Sequence, residues 1–509
     1  MGQISQAIHM VLFNPFCLLL ILIGVVIGII FGSIPGLSST MALILFLPMS
    51  FGMDPMNGIS LLIGLYLGGM SGGLISAILL KIPGTPSSIA TVFDGGPMAD
   101  KGEAGKAIGV GILTSFVGGL ISILALMFIS PYLAKVTLAF TSAEYFSIAL
   151  FALTIISSLS GNSMVNGVLS GFLGIALSLV GIAPIDGAIR FTFGESKLYG
   201  GFNSVVILIG IYAVTDIIRA GFERKDIDKK LAKKSYQMDS LYGIKLGDYL
   251  KRWVNIIRSA LIGLSIGILP GIGGSTASLL AYTAAKNSSK HPETFGKGNI
   301  EGIAASESAN NAVTGGAIIP LITLGIPGSS VTAIMLGGMM IKGLVPGHEL
   351  FTKQGDITYC ILMGFLVANI LMGIFGLLIA RQVVKISTVP MTILCPIIVA
   401  LSTIGAYAIQ GSMVDVYVML VFGVLGYFAR KLGFATAPIV LGLILGPMAE
   451  RNWRQALMFS RGNMLKYFLG RPVSIVLAIL VVIGLFSPLL MKFFNKKATG
   501  QENLQAADD

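Results

Sequence analysis

Long stretches without a charged side chain alternate with short polar segments along most of the chain. The first residue charged at neutral pH is Asp54 and the next is Lys81. Further charge-free runs cover residues 145–185, 259–285, 308–341, 357–380, 386–414 and 473–491. Each run is long enough for one or more bilayer crossings of about 20 residues. The pattern predicts an all-α polytopic membrane protein with about 10–14 membrane segments, half-length ones included.

Four apolar runs are interrupted by proline, glycine and hydroxyl residues. The interruptions lie at residues 32–40 and 82–88, and again at 267–276 and 326–330. Members of each matched pair are separated by about 235–245 residues. This spacing predicts an internal duplication, with two related and inverted repeats that contain broken helices and re-entrant hairpins.

A break inside the bilayer persists only where it is buried in protein or lines a water-filled cavity. Half-helices that begin at such a break present free N–H groups, which suit an anion, and carbonyl groups at opposing helix ends suit sodium. The expected substrate contacts are Lys81, Thr85, Pro86, Ser87, Ser88, Gly328, Ser329 and Ser330. The expected sodium contacts are Gly36, Ser38, Ser39, Thr40, Gly273, Gly274, Ser275, Asn310 and Asn311.

Each of these assignments has a structural alternative. Proline and glycine can simply kink helices while the hydroxyls bond back to their own backbone. Asn310 and Asn311 can belong to the start of an interfacial helix, with Glu307 in contact with solvent. Lys81 can attract an anionic substrate or reach to the membrane interface. Asp94 is expected to cap a turn or a helix N-terminus, and a direct role in ion binding is the alternative.

The net charge of +11 reflects basic residues between the apolar runs, where they orient a membrane protein. Residues 219–258 are predicted to be a basic cytoplasmic linker between two transmembrane halves, 1–218 and 259–491, and residues 492–509 a tail. A loop this short has no binding fold, so no nucleic-acid partner is expected. Three scattered cysteines predict neither a disulfide nor a metal site. No phosphate loop or H-E-x-x-H motif occurs, and no enzymatic activity or cofactor beyond a coupling sodium ion is expected.

Several of these motifs together resemble the TctA family, the large membrane subunit of tripartite tricarboxylate transporters. The matching stretches are residues 35–37, 72–73, 82–88, 94–99, 101–102, 105–107, 270–273, 301–312 and 326–328. The family often has proline where this chain has Ser306.

The resemblance implies a multi-pass protein of the bacterial inner membrane that imports citrate-like or other carboxylates with an ion gradient, usually sodium. It also implies two partners, a small TctB-like membrane subunit and a periplasmic TctC-like solute-binding protein. The alternative is a gated ion channel or ion exchanger that uses the same broken helices. Uptake that requires the binding protein and a sodium gradient would distinguish the transporter from a channel.

Overall fold

The computed structural model describes residues 2–159, 164–222, 252–386, 389 and 391–484. The helices of the first part are α1 (Gly2–Leu12), α2 (Pro15–Ser33), α3 (Ser39–Phe46), α4 (Pro55–Leu79), α5 (Ile89–Asp100), α6 (Ala104–Thr137), α7 (Ser142–Leu159), α8 (Met164–Ser178) and α9 (Ser204–Phe222). Those of the second part are α10 (Trp253–Ile268), α11 (Gly273–Ser288), α12 (Ile300–Leu324), α13 (Ser330–Ile341), α14 (His348–Thr352), α15 (Gly355–Ile386), α16 (Met391–Gln410), α17 (Met413–Lys431), α18 (Thr436–Phe459), α19 (Met464–Leu469) and α20 (Pro472–Gly484).

The described residues include seven helices that are long and apolar enough to cross a membrane, and six shorter apolar helices. The long ones are α2, α4, α6, α9, α15, α16 and α17. An α-helix satisfies all of its backbone hydrogen bonds internally, which is the condition for crossing hydrocarbon. The predicted all-α polytopic fold is therefore confirmed.

All four predicted interruptions are breaks between helices. In the first half, one break separates α2 from α3 and the other separates α4 from α5; in the second half, the breaks separate α10 from α11 and α12 from α13. Gly36 and Gly271 turn the chain with φ of 91° and 81°, and Gly325 ends α12 with φ of 72°. Glycine adopts these left-handed conformations without the steric cost of a side chain.

The short helices pack crosswise between the halves of the sequence. Within each half, the two helices that precede the breaks are neighbours, α2 beside α4 and α10 beside α12. The half-helix α3, however, packs on α13 of the second half, and α11 packs on α5 and on the Pro86–Ser88 turn of the first half. This reciprocal pairing agrees with the predicted duplication, whose inverted orientation stays a prediction.

The ends of α5 and α13 repeat the same local structure. The N–H of Lys101 donates to the carbonyl of Met98 at 3.1 Å, and the N–H of Lys342 donates to the carbonyl of Met339 at 3.1 Å. Each lysine is followed by a glycine in the left-handed region, with φ of 81° at position 102 and 72° at position 343. The C-terminal ends of the two hairpin helices thus have the same backbone geometry.

The same two lysines tie each hairpin to the other half. Lys101 Nζ donates to the carbonyl of Lys297 at 2.6 Å, in the segment after α11. Lys342 Nζ donates to the carbonyls of Phe51, at 3.0 Å, and Met53, in the segment after α3. Burial lowers the pKa of Lys342.

We expect Lys342→Met to lower the free energy of unfolding by about 1–3 kcal/mol, because a charged donor would no longer satisfy two backbone carbonyls. Lys101 is exposed and donates to one carbonyl, so Lys101→Met should cost less, roughly 1 kcal/mol or below. Thermal unfolding of the detergent-solubilised protein measures both. Lys353→Met, at an exposed Lys353–Glu349 pair, is the control. A larger loss for Lys101→Met than for Lys342→Met would contradict the ranking.

The chain forms two compact units. Unit 1 comprises residues 1–138 and 203–428 and contains all four breaks; unit 2 comprises residues 139–202 and 429–509. Each unit contains residues from both predicted halves of the sequence, 1–218 and 259–491. The units therefore do not correspond to these halves, and the division into two repeats stays a prediction. Most of the predicted linker 219–258, and the tail 492–509, lie outside the described residues.

Unit 2 is held by glycine packing and by ion pairs. A methyl group on Gly174 of α8 would lie 2.0 Å from the carbonyl oxygen of Ile439 on α18, which shows how closely the two helices approach. Arg190 makes a bidentate pair with Glu450, at 2.6 and 3.1 Å. Unit 2 also contains a short antiparallel pair of strands, β1 (Gly181–Ile182) and β2 (Ile189–Arg190).

Candidate functional site

The turn of the first hairpin carries a cluster of buried hydroxyl groups. Thr85 Oγ1 lies 3.0 Å from Ser87 Oγ and 3.1 Å from Ser88 Oγ, and all three side chains are buried. A methyl group on Gly73 of α4 would lie only 2.4 Å from Thr85 Oγ1, so this glycine leaves room for the cluster. These hydroxyls hydrogen-bond to one another. Because a hydroxyl hydrogen can rotate, each group can also donate to a polar ligand or accept from one.

The start of α11 lies against this hydroxyl cluster. A methyl group on Gly274 would lie 2.8 Å from Ser87 Cβ, 3.2 Å from Asn310 Oδ1 and 3.3 Å from Met70 Cε. No side chain caps the start of α11. The uncapped N–H groups of this first turn, together with the positive end of the helix dipole, make an anion favourable here.

Two neighbouring amides on α12 face α4. Asn310 Nδ2 donates to the carbonyl of Met70 at 3.1 Å and to Glu307 Oε2 at 3.3 Å, whereas Asn310 Oδ1 is buried without a protein partner. Asn311 Oδ1 accepts from Ser71 Oγ at 2.8 Å, and its Nδ2 is buried without a partner. Buried polar atoms are nearly always hydrogen-bonded in folded proteins, so these two mark a place for a ligand or water.

Glu307 lies in the middle of this network and is fully buried, with 0% of its surface exposed. It accepts hydrogen bonds from Thr91 on α5, from Ser115 Oγ on α6 at 3.2 Å and from Asn310. The alternative interpretation of Glu307 as a solvated residue at an interfacial helix start is therefore wrong. A carboxyl group buried among the helices of a polytopic membrane protein is a functional candidate, and its isolation in a stretch with few other charged residues could have indicated this from the sequence.

The turn of the second hairpin uses its hydroxyls differently. Ser329 Oγ accepts from the N–H of Thr332 at 3.3 Å, and Thr332 Oγ1 accepts from the N–H of Ser329 at 2.8 Å. This reciprocal capping box satisfies two N–H groups at the start of α13. The carbonyl of Gly328 accepts from the N–H of Gly271 at 2.8 Å and so joins this hairpin to the break before α11. Ser330 is half-buried.

The first break presents one unpaired oxygen. Ser39 is buried and its Oγ has no partner, while a methyl group on Gly69 would lie 2.8 Å from it. Ser38 Oγ is engaged with the N–H of Met41 at 3.2 Å, as the N-cap of α3. Thr40 is half-buried.

Most of the predicted sodium residues lie at helix starts, where the backbone presents N–H donors rather than carbonyl oxygens. Ser38–Thr40 and Gly273–Ser275 lie at the starts of α3 and α11, where N–H donors favour anions over cations. The carbonyls suited to sodium lie at the ends of α2 and α10, on the other side of each break. Two of the predicted sodium ligands have a side-chain oxygen that is both buried and unpaired, Ser39 Oγ and Asn310 Oδ1.

Two charged residues of the first hairpin have protein partners. Lys81, with φ of 57°, forms a partly exposed ion pair with Asp100. Asp94 Oδ1 accepts the N–H groups of residues 296, 298 and 299, at 2.8, 2.9 and 2.7 Å, and Oδ2 accepts from Tyr282 at 2.9 Å. Since residue 299 precedes α12, the prediction that Asp94 caps a turn or helix N-terminus is confirmed.

Comparison with known proteins agrees with the predicted resemblance. Residues 18–441 match the Tripartite tricarboxylate transporter TctA family. An "uncharacterized 52.8 kDa protein in TAR-I ttuC' 3'region" of Agrobacterium vitis is 36% identical over 463 residues, which are 91% of this chain and 90% of that protein. An "uncharacterized protein in TAR-II ttuC' 3'region" of the same organism is 38% identical over 235 residues, which are 46% of this chain and 97% of that protein. No solved structure matches. With the family match extending from α2 into α18, this chain belongs to the TctA family of tripartite tricarboxylate transporters.

Proposed function

We propose that this chain imports an organic carboxylate across the bacterial inner membrane by symport with sodium. A periplasmic TctC-like protein delivers the carboxylate, and a small TctB-like membrane subunit completes the complex. The observation that carries the proposal is a pair of buried, unpaired amide atoms on α12: Asn310 Oδ1, which lies beside the start of α11, and Asn311 Nδ2 on the next residue. An oxygen for a cation and an N–H for an anion thus lie on adjacent residues.

The anion has three kinds of donor in this region. The N–H groups at the start of α11 carry a positive partial charge, the hydroxyl cluster of Thr85, Ser87 and Ser88 lies alongside, and Asn311 offers its free N–H. Discontinuous helices of secondary transporters bind anionic substrate groups at half-helix N-termini in the same manner. Sodium bound at Asn310 Oδ1 would offset the charge of the carboxylate, which gives symport an electrostatic basis.

Uptake into proteoliposomes tests the proposal. The vesicles hold this chain with its small membrane subunit, and a cognate binding protein loaded with radiolabelled carboxylate is added outside. We expect accumulation that requires both the binding protein and an inward sodium gradient and that stops when a sodium ionophore collapses the gradient. Ion current without carboxylate or binding protein would instead identify a channel and overturn the proposal.

The two hairpins should respond differently to loss of a hydroxyl. Thr85→Val removes the centre of the hydroxyl cluster and should raise the KM for carboxylate roughly tenfold, about the effect of one hydrogen bond to a charged group. Ser329→Ala removes a helix cap and should cost about 1 kcal/mol of stability with little change in KM. Uptake kinetics and thermal unfolding separate the two effects. An equal rise in KM for both variants would place the carboxylate at both hairpins.

A further inference from the structure

The orientation of the Asn310 amide is determined by its surroundings. Its nitrogen lies between two acceptors, the carbonyl oxygen of Met70 at 3.1 Å and Glu307 Oε2 at 3.3 Å. Reversal of the amide would place its oxygen against both acceptors, which is repulsive, whereas the present orientation uses both N–H groups. The oxygen consequently points to the side where Gly274 and Ser87 lie.

Glu307 is itself held from two further helices. Thr91 on α5 donates to Oε1, and Ser115 on α6 donates to Oε2 at 3.2 Å. Thr91 Oγ1 also lies 3.0 Å from Ser306 Oγ, which fixes the threonine in turn. The carboxylate therefore has little freedom to rotate away from Asn310, and α5 and α6 act on the amide through it.

We propose that Glu307 is a positioning residue that holds Asn310 Oδ1 toward the coupling cation without touching the cation itself. This inference rests on the proposed sodium symport and assigns the residue that keeps its ligand in place. Preorganised ligands bind more tightly because less conformational freedom is lost on binding. In the absence of the Glu307 acceptor, the amide can rotate and present an N–H, which repels a cation.

Two substitutions separate the acceptor from the rest of the side chain. Glu307→Gln keeps an oxygen in the place of Oε2 that can accept from Asn310 and Ser115, because the hydroxyl of Thr91 can rotate to accept from an NH2 group in the place of Oε1. Glu307→Leu removes the acceptor at similar volume. We expect the half-saturating sodium concentration to rise roughly tenfold or more in Glu307→Leu and by a smaller factor in Glu307→Gln.

The decisive measurement is a double-mutant cycle between Glu307→Leu and Asn310→Ala, followed by sodium titration of carboxylate uptake in proteoliposomes. If Glu307 acts through Asn310, the two effects are strongly non-additive, and Glu307→Leu changes the sodium dependence little once Asn310 is alanine. The KM for carboxylate at saturating sodium should stay within about twofold in Glu307→Leu. Asp415→Asn, at a buried carboxyl on α17 of the same unit, is the matched control and should leave both parameters unchanged.

Additive effects, or an unchanged sodium dependence in Glu307→Leu, would overturn the positioning role while leaving sodium symport intact. Uptake by the unaltered protein that ignores sodium at every concentration would overturn the symport proposal and this inference together. Because Glu307→Leu leaves three donors unpaired, its folding is checked by size-exclusion chromatography in detergent. If it does not fold, Glu307→Gln replaces it in the cycle with the same criterion of non-additivity.

Discussion

Gly84→Ala should abolish uptake. A methyl group at this position would lie 2.1 Å from the carbonyl oxygen of Gly32, 2.5 Å from Ser76 Oγ and 3.0 Å from Gly73 Cα. The first two distances are far inside van der Waals contact, and two of the three atoms belong to backbone. The first break and the turn of the first hairpin must then separate, which we expect to cost about 1–3 kcal/mol and to displace the hydroxyl cluster.

Uptake assays at matched protein levels measure the effect, for which we expect a loss of at least tenfold, about 1.4 kcal/mol in transition-state terms. Gly52→Ala is the matched control, since a methyl group on Gly52 would meet nothing within 4 Å. Full uptake by Gly84→Ala would show that the close contact between the break and the hairpin is not required for transport.

Asp94→Ala should destabilise the protein more than the loss of a helix cap or of an interfacial lysine does. Asp94 is fully buried, and its Oδ1 is the acceptor for three backbone N–H groups in the segment that leads into α12. Two of those groups belong to Gly296 and Gly298, which have φ angles of 84° and 99°. A residue with a side chain would be strained at these angles, so the segment requires glycine at both positions. Loss of the carboxylate removes the acceptor of three N–H groups, two of them on half-buried residues, and we expect this to cost about 2–4 kcal/mol in total.

Thermal unfolding in detergent compares two variants at Asp94 with one at its partner Tyr282. Asp94→Asn retains one oxygen for the N–H groups and should be milder than Asp94→Ala. Tyr282→Phe removes the bond to Oδ2 and should be milder still, at about 1 kcal/mol. A stability of Asp94→Ala equal to that of Tyr282→Phe would mean that the N–H groups find water or other partners.

The breaks were predictable because proline and glycine act locally. Charge-free runs indicated the membrane segments, and the residues at 32–40, 82–88, 267–276 and 326–330 showed where helices end, since the backbone preferences of proline and glycine depend little on distant contacts. The repeated spacing of the breaks is the basis for the predicted duplication. These signals are present in the order of residues alone.

The distribution of roles among the polar residues was not predictable, because it depends on contacts between distant segments. Thr85 and Ser329 occupy equivalent hairpin turns, yet Thr85 belongs to a hydroxyl cluster and Ser329 to a capping box. Thr332, three positions after Ser329, completes the box, whereas Ser88, three positions after Thr85, hydrogen-bonds to the Thr85 hydroxyl instead. A solvated helix start was one of two interpretations open for Glu307, and only the packing of α5, α6 and α12 shows the residue to be buried.

The crossed packing of α3 on α13 and of α11 on α5 makes the two halves of the sequence depend on each other. Each half of the sequence supplies one member of both pairs, so the arrangement is that of a swapped dimer whose two protomers have been joined in one chain. Either half alone would expose the surfaces of its half-helix and of its hairpin that are covered by the other half. The two predicted repeats therefore depend on each other to cover these surfaces.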